Sequence, residues 1–383
     1  MENSSIVPDA SNSITNTTVS HTTDLLIYSY GERVFVAICW LLITIFGTLG
    51  NSLVIVAVLL SRKLRTDTNV FVVSLAVADL LTSLFLFWSV FALLGRNGWP
   101  LPQAEWLCVA GGFMIFACTG VSLWNLVAIS LNRLLLITLP LSTYRMIYKP
   151  CNIAIMVTMV WLIPGLVCLV LPLAGIGGFG YDQQHSTCSD LDLHPQGETF
   201  HLAQTITFYP IPLITIITCY AFIFHRVRRH FKQQRNTEEL KTSAGTSVAT
   251  SSSGVSSGSA SGQGSTPDLE AAVVKETPEK TPSNRTQRIN KMEMDITKNL
   301  FLVVCVFFLF FTPYFVALFI PGSDYFLLYG GIIVLANSMM NPIIYARRHP
   351  RFKVVFSCMI SRRYGDIPEP SDFLKRLLRK RGR

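Results

Sequence analysis

The sequence predicts an all-α membrane protein: a seven-transmembrane helix bundle with a short amphipathic cytoplasmic helix after the seventh span. Three observations predict it. Half of the 383 residues are hydrophobic and only 14% are charged, against about 25% in ordinary soluble domains. The apolar residues fall in long blocks almost free of charge. The basic residues gather between alternate blocks, on one side of a membrane.

Residues 1–32 form an N-terminal tail without Lys or Arg. Its sequons, Asn3-Ser4-Ser5 and Asn16-Thr17-Thr18, are expected to be glycosylated outside the cell. No charged-then-apolar leader precedes the first block, which is expected to serve as its own uncleaved insertion signal. The bundle occupies 33–346. Blocks 34–61, 150–181, 199–225, 299–323 and 325–346 hold no Asp, Glu, Lys or Arg, and blocks 68–95 and 106–144 hold one each, Asp79 and Arg133. Each block meets the roughly 18–25 residues that a helix needs to cross the hydrocarbon core. Barrel strands of about ten residues are excluded. Lys and Arg cluster at 62–65, 145–149, 226–235 and 347–383. Seven spans put all four clusters on one face, which is cytoplasmic by the positive-inside rule, so the N-terminus is extracellular and the C-terminus cytoplasmic.

Between spans 5 and 6 lies an insert at about 230–290, whose Ser/Gly/Ala/Thr centre, 249–265, reads as a flexible tether. After span 7, Phe352, Val355, Phe356 and Met359 recur at i, i+3, i+4 and i+7, opposite Arg348, Arg351 and Lys353. This pattern predicts a membrane-surface helix over 347–360, with Cys358 a palmitoylation candidate. Residues 361–383 form a basic cytoplasmic tail in which Phe373, Leu374, Leu377 and Leu378 repeat the amphipathic idea. From 347 onward there are 12 basic and 3 acidic residues, net +9, equal to the excess of the whole chain. The charge therefore belongs to the inner membrane surface, and a nucleic-acid partner is not expected.

Of nine cysteines, Cys39, Cys118, Cys168, Cys219 and Cys305 sit within spans as small core residues. Cys108, at the start of span 3, and Cys188, in the loop after span 4, are the pair facing the oxidising compartment. A disulfide between them is expected. That loop also carries Asp182, Asp190, Asp192 and Glu198, with His185, His194 and His201. It reads first as a solvated polar loop, with an acidic rim for a cationic peptide or a proton sensor as alternatives. No nucleophile–base or metal-ligand constellation occurs in the spans, so an enzyme is not expected. Asp79 and Arg133, far apart in depth, do not line a transport path.

The chain resembles the rhodopsin-like (class A) G-protein-coupled receptors over about 33–360. The resemblance rests on Gly50-Asn51 in span 1, Leu75-Ala76-Val77-Ala78-Asp79 in span 2, and Cys108 with Asn132-Arg133-Leu134 in span 3. Further along it rests on Trp161, on Pro212 with Tyr220, on Phe307 with Phe311-Thr312-Pro313, and on Asn341-Pro342-Ile343-Ile344-Tyr345. The Asn-Arg form of the span 3 motif, with Asn341-Pro342 kept, is similar to melatonin receptors and to Moody-type invertebrate receptors.

The resemblance implies an orphan receptor that binds an extracellular ligand and activates heterotrimeric G proteins, with arrestin and receptor kinases as further partners. A hinge at Phe307, Phe311, Pro313, Asn341 and Pro342 would let span 6 swing outward. A sodium ion is expected at Asp79, Ser122, Asn337, Ser338 and Asn341, beside Asn51. No other cofactor is expected. Leu335 stands where opsins carry the retinal-linking lysine, so a retinal Schiff base is excluded. Ile115 stands where amine receptors carry an aspartate. The implied ligand pocket is Ile115, Thr119, Thr207, Phe311, Tyr314 and Leu335, which suits a small neutral or lipophilic ligand. The coupling switch is expected at Asn132, Arg133, Tyr220, Glu293 and Tyr345. Asn132 replaces the family's aspartate and offers Arg133 a hydrogen bond without charge. Glu293 is the expected surviving lock on Arg133. A poorly coupling decoy receptor is the alternative that the altered Asn132 raises.

Overall fold

The structure, a computed structural model, describes residues 27–191, 193–249 and 284–381, with backbone alone over 230–249, 284–300 and 380–381. The sequons at Asn3 and Asn16, Asp192 and the centre of the insert lie outside the described residues, as does the side chain of Glu293.

The helices, in chain order, are α1 (Tyr30–Leu60), α2 (Asp67–Leu93), α3 (Glu105–Thr138), α4 (Leu141–Ile147), α5 (Pro150–Leu173), α6 (Gly197–Phe208), α7 (Pro210–Ala249), α8 (Asn284–Ala317), α9 (Asp324–Arg348), α10 (Pro350–Ile360) and α11 (Asp372–Arg381). Among the described residues six stretches are long and apolar enough to cross a membrane: α1, α2, α3 with its preceding turn, α5, α6 running into α7, and α9. The seventh crossing is the shorter apolar part of α8, Phe301–Ala317. Span 5 is thus two helices. Pro210 has no N–H to continue the ladder, and it sits at the first position of the new helix, where that loss costs nothing. By packing, the chain divides into residues up to Tyr220 together with those from Asp295, and a separate unit, Ala221–Met294. The described part of that unit is helix, so the insert read over 230–290 is helical at both margins.

Capping starts the helices where the sequence leaves N–H groups unpaired. Ser29 caps α1 in a capping box, its N–H on Glu32 Oε2 at 2.8 Å and its Oγ accepting from Glu32 N at 3.4 Å. Thr66 caps α2 through Asn69 N. His349 caps α10, its Nδ1 accepting from Phe352 N at 3.4 Å. An acceptor must be neutral. Burial, aided by Arg133 and Arg351, pushes the His349 imidazole down to about 4 and keeps it so.

Small residues set how closely the helices approach, as expected where lipid supplies no hydrophobic drive between them. A Cβ on Gly120 would stand 2.7 Å from Pro164 Cβ and 2.9 Å from the Phe208 ring, so α3, α5 and α6 meet at that point. A Cβ on Gly50 would stand 2.9 Å from Pro342. Trp161 Nε1 donates to Ser74 Oγ at 3.0 Å and ties α5 to α2.

Between α5 and α6, strands β1 (Phe179–Asp182) and β2 (Thr187–Asp190) form an antiparallel hairpin, with Tyr181 opposite Cys188. The Cys108–Cys188 disulfide pins it to the start of α3. A Cβ on Gly112 would meet the Ser189 carbonyl oxygen at 3.1 Å, so the second strand lies directly on α3.

The Gly120 contact makes a prediction. Gly120→Ala is expected to cost about 1–3 kcal/mol by overpacking. Gly165→Ala, on α5 with nothing within 4 Å of the added Cβ, is expected to be neutral or stabilising by up to about 1 kcal/mol, because it restricts the unfolded chain. Thermal unfolding of the purified protein in detergent checks both; equal midpoints would show that the three-helix contact is soft.

Candidate functional site

A cavity of about 160 Å³ opens under the hairpin at the disulfide end of the bundle. Its walls come from Trp40 of α1, Leu86 and Ser89 of α2, Ile115, Phe116 and Thr119 of α3, and Gln204, Thr205 and Phe208 of α6. Phe311, Tyr314 and Phe315 of α8 and Leu335 of α9 complete the apolar lining, while His185, Thr187, Ser189, Asp190 and His201 make one edge polar. Five of the six sequence-predicted pocket residues, Ile115, Thr119, Phe311, Tyr314 and Leu335, line this cavity.

Thr207 does not. Its hydroxyl donates to Ala203 O at 2.8 Å within its own helix, and the buried stripe of α6 runs through Phe200, Gln204, Thr205 and Phe208. That stripe has helical spacing, so periodicity carried the signal for Gln204. Gln204 is 4% exposed, and its Nε2 has no hydrogen-bond acceptor among the described residues; nor has Trp40 Nε1. Two buried N–H donors on the cavity wall therefore await an acceptor.

The hairpin part of the loop above is not a solvated rim, while Glu198 further along stays exposed. Asp182, Asp190 and His185 are buried. Asp182 accepts from Gln184 N at 3.3 Å, His185 N at 3.0 Å and His185 Nδ1 at 2.6 Å. Asp190 pairs with His201 Nδ1 at 2.8 Å, joining β2 to α6. Folding the loop onto α3 removes both carboxylates from water; His185 hydrogen-bonds Asp182, and His201 stands against Asp190, in keeping with the need of a buried charge for a partner. Beside the loop, Tyr28 packs in edge and tilted contacts with Tyr329, Tyr325 and His185, and its hydroxyl donates to Asp324 O at 2.7 Å. Burial pushes that phenol up to about 12.

Below the cavity, Phe311 stacks on Phe307 at 4.1 Å, and Tyr209 hydrogen-bonds Thr312 at 2.6 Å beside Pro313. Deeper, Asp79 accepts from Ser122 Oγ at 2.6 Å and from Asn341 Nδ2 at 2.7 Å. Asn51 Nδ2 donates to the carbonyls of Gly47 and Ser338, each at 2.9 Å, and its Oδ1 has no partner among the described residues. Asn337 and Ser338 are buried nearby in sequence to Asn341, but neither side chain hydrogen-bonds Asp79.

At the far end, Asn132 and Arg133 are both buried. The amide of Asn132 does not serve Arg133. Its Oδ1 accepts from Thr68 Oγ1 at 2.6 Å and its Nδ2 donates to Tyr144 OH at 2.9 Å, bridging α3 to α2 and α4. Successive side chains on a helix point about 100° apart, so adjacent residues reach different neighbours. Tyr144 stacks on Tyr148 at 4.7 Å, and Tyr345 stacks on Phe352 of α10 at 5.6 Å. Tyr220 is buried and packs on Phe301. Cys358 is buried too, so acylation there requires α10 to give up that packing.

Known proteins share this arrangement. The sequence profile described as "7 transmembrane receptor (rhodopsin family)" matches residues 50–345. The chain is 29% identical over 380 residues to the G-protein coupled receptor moody of Drosophila melanogaster, covering 90% of this chain and 54% of that protein. It is 33% identical over 186 residues to the melatonin receptor type 1B-A of Danio rerio, covering 49% of this chain and 62% of that receptor. The chain spans about half the length of the moody relatives. Squid rhodopsin superposes with a TM-score of 0.68 over 98% of this chain and 95% of its own, at 18% identity, and shares the fold. The match across six of the seven spans, in a bundle of that shape, settles the family: the chain belongs to the rhodopsin family of seven-transmembrane receptors.

Proposed function

We propose that the protein is a plasma-membrane receptor, N-terminus outside, that binds a small neutral or lipophilic ligand in the cavity under the hairpin and activates heterotrimeric G proteins at the Arg133 end. One observation carries the ligand side. Apart from the polar edge at His185, Asp190 and His201 the wall is apolar, and it offers no Lys or Arg, yet Gln204 Nε2 and Trp40 Nε1 stand buried without acceptors among the described residues. A ligand with a carbonyl or ether oxygen relieves that cost, since an unsatisfied buried donor costs about 1–3 kcal/mol. The relatives named as melatonin receptors make melatonin the first compound to test. Burial of Asp182 and Asp190 takes two of the four acids out of the rim that peptide capture would use, and Glu198 stays exposed.

Phe311 both lines the cavity and stacks on Phe307, with Pro313 in the same helix. A ligand that displaces Phe311 therefore bears on the point where α8 lacks a backbone hydrogen bond and bends most easily. Arrestin and receptor kinases follow as partners of the same cytoplasmic face. We place a sodium ion at Asp79, Ser122, Asn337, Ser338 and Asn341; what supports it is one buried carboxylate held by the Ser122 hydroxyl and the Asn341 amide, with the other polar side chains buried. The ion would supply positive charge beside a buried carboxylate, which otherwise must be neutralised by a proton.

Guanine-nucleotide exchange on purified G proteins tests the coupling. Arg133→Ala is expected to abolish catalysed exchange. Asn132→Asp keeps the acceptor for Thr68, loses the donor to Tyr144, and places a negative charge one residue from Arg133 that acts through space and not by a direct bond. It is expected to lower ligand-free exchange about fivefold, the worth of about 1 kcal/mol. No exchange by the wild-type chain with any ligand would leave a decoy receptor.

Sodium is read by thermal unfolding in sodium chloride against choline chloride. The wild-type midpoint is expected to rise in sodium, and Asp79→Asn to show no such rise. A rise that survives in Asp79→Asn places the ion elsewhere.

For the ligand, Gln204→Leu is expected to weaken binding of a neutral acceptor-bearing ligand about tenfold while sparing a pure hydrocarbon probe, because it removes one hydrogen bond and little shape. Displacement of a fluorescent lipophilic probe measures both. Equal loss for the two would make Gln204 a packing residue.

A further inference from the structure

Beyond α10 the chain does not trail away. Arg362 takes a left-handed conformation (φ 55°), and Arg363 N closes back on Cys358 O at 2.8 Å. The segment then runs beside the end of α1, with Ile367 2% exposed. Ser61 Oγ donates to Pro368 O at 2.7 Å, Arg62 N to Glu369 O at 2.8 Å, and Ser371 N to Leu60 O at 2.8 Å, around an antiparallel bridge between Ser61 and Pro370. Ser61 and Ser371 are fully buried, and Arg62 forms an ion pair with Asp372. These contacts join residues some 300 positions apart into a clasp.

The clasp decides where α11 starts. Leu60 is the last residue of a membrane-spanning helix, so Ser371 is held where α1 leaves the bilayer. Ser371 Oγ then caps α11 by accepting from Leu374 N at 3.3 Å. Phe373, Leu374, Leu377 and Leu378 share one side of α11, and Lys375, Arg376 and Arg379 lie on the other. That apolar side is only half covered. Leu374 is 3% exposed against the protein, whereas Phe373 is 60% and Leu377 47% exposed.

We propose that the clasp presents α11 as a second interfacial helix, with Phe373 and Leu377 in the acyl boundary of the bilayer and Lys375, Arg376 and Arg379 on the phosphates of anionic lipids. Three features favour a lipid surface. The open edge begins at bilayer level; it is narrow, as suits shallow insertion; and the flanking charge is basic, complementary to an anionic leaflet. In the orientation proposed above this is the inner leaflet, but the clasp and its lipid contact do not depend on the ligand or on coupling.

The full chain is reconstituted in nanodiscs of phosphatidylcholine, with or without phosphatidylserine, and a bimane fluorophore is placed at Phe373→Cys in a Cys151→Ser, Cys305→Ser background. Nanodiscs expose both faces, so the result is independent of orientation. Brominated acyl chains are expected to quench the fluorophore, about twofold more with phosphatidylserine present. Reversing Lys375, Arg376 and Arg379 to Glu should remove that increment, and Ser371→Pro, which deletes the N–H on Leu60 O, should reduce quenching in both lipids. Absence of quenching in both lipids overturns the proposal and leaves the edge to a protein partner. Quenching indifferent to phosphatidylserine overturns the headgroup contact. Full quenching in Ser371→Pro shows that the clasp does not present the helix.

Discussion

Within hydrocarbon no water pairs with a backbone N–H or C=O, and that constraint dictates nearly everything else in this bundle. It demands helices through each crossing. It also makes each departure from the helical ladder informative, because a freed backbone group must find a partner or cost several kcal/mol. The chain departs at Tyr209–Pro210, between α6 and α7, and at the prolines inside α5, α8 and α9. Two of these lie beside the cavity or the polar cluster. Pro313 follows Phe311 on the cavity wall, and Pro342 adjoins Asn341 on Asp79. Two of the proline breaks thus adjoin side chains of the cavity wall and of the Asp79 cluster.

The same constraint turns polar side chains inward. Asp79 of α2 is met by Ser122 of α3 and Asn341 of α9, and Asn51 of α1 ties to the Ser338 carbonyl of α9. No single helix carries a site. What unites them is close packing through small residues, and Gly50 against Pro342 sits next to Asn51 and Asn341 in sequence. Polar groups on the other side of the bundle follow a similar economy. Asn132, with two hydrogen bonds to two different elements, acts as a joint between α2 and α4 and leaves Arg133 to other neighbours.

At the opposite end, one covalent bond organises a loop rich in ionisable groups. Cys108–Cys188 holds the hairpin on Gly112, and the carboxylates of Asp182 and Asp190 then have to be satisfied from within. His185 hydrogen-bonds Asp182, and His201 stands 2.8 Å from Asp190. A loop that composition makes hydrophilic is in this way made part of a cavity roof, and its charges become structural.

The sequence by itself determined the number of crossings, their approximate places, the disulfide and the family; it ran the fourth block on to 181, whereas α5 ends at Leu173 and a strand begins at Phe179. Those properties depend on block length, charge placement and motif order, which are local or additive along the chain. It also determined most of the cavity wall, because Ile115, Thr119, Phe311, Tyr314 and Leu335 sit at motif-anchored positions in unbroken helices. It failed at Thr207, since a shift of a few positions on the short helix α6 moves a side chain to another face, and it missed Gln204 for the same reason. Only the tertiary structure decided the partners of Asn132, the burial of Asp182 and Asp190, and the clasp from Ser61 to Ser371. Each of these depends on which distant segment arrives to satisfy a polar group. The hydrogen-bonding capacity of an Asn, an Asp or a backbone N–H is written in the sequence, but the identity of its partner is a property of the packed chain.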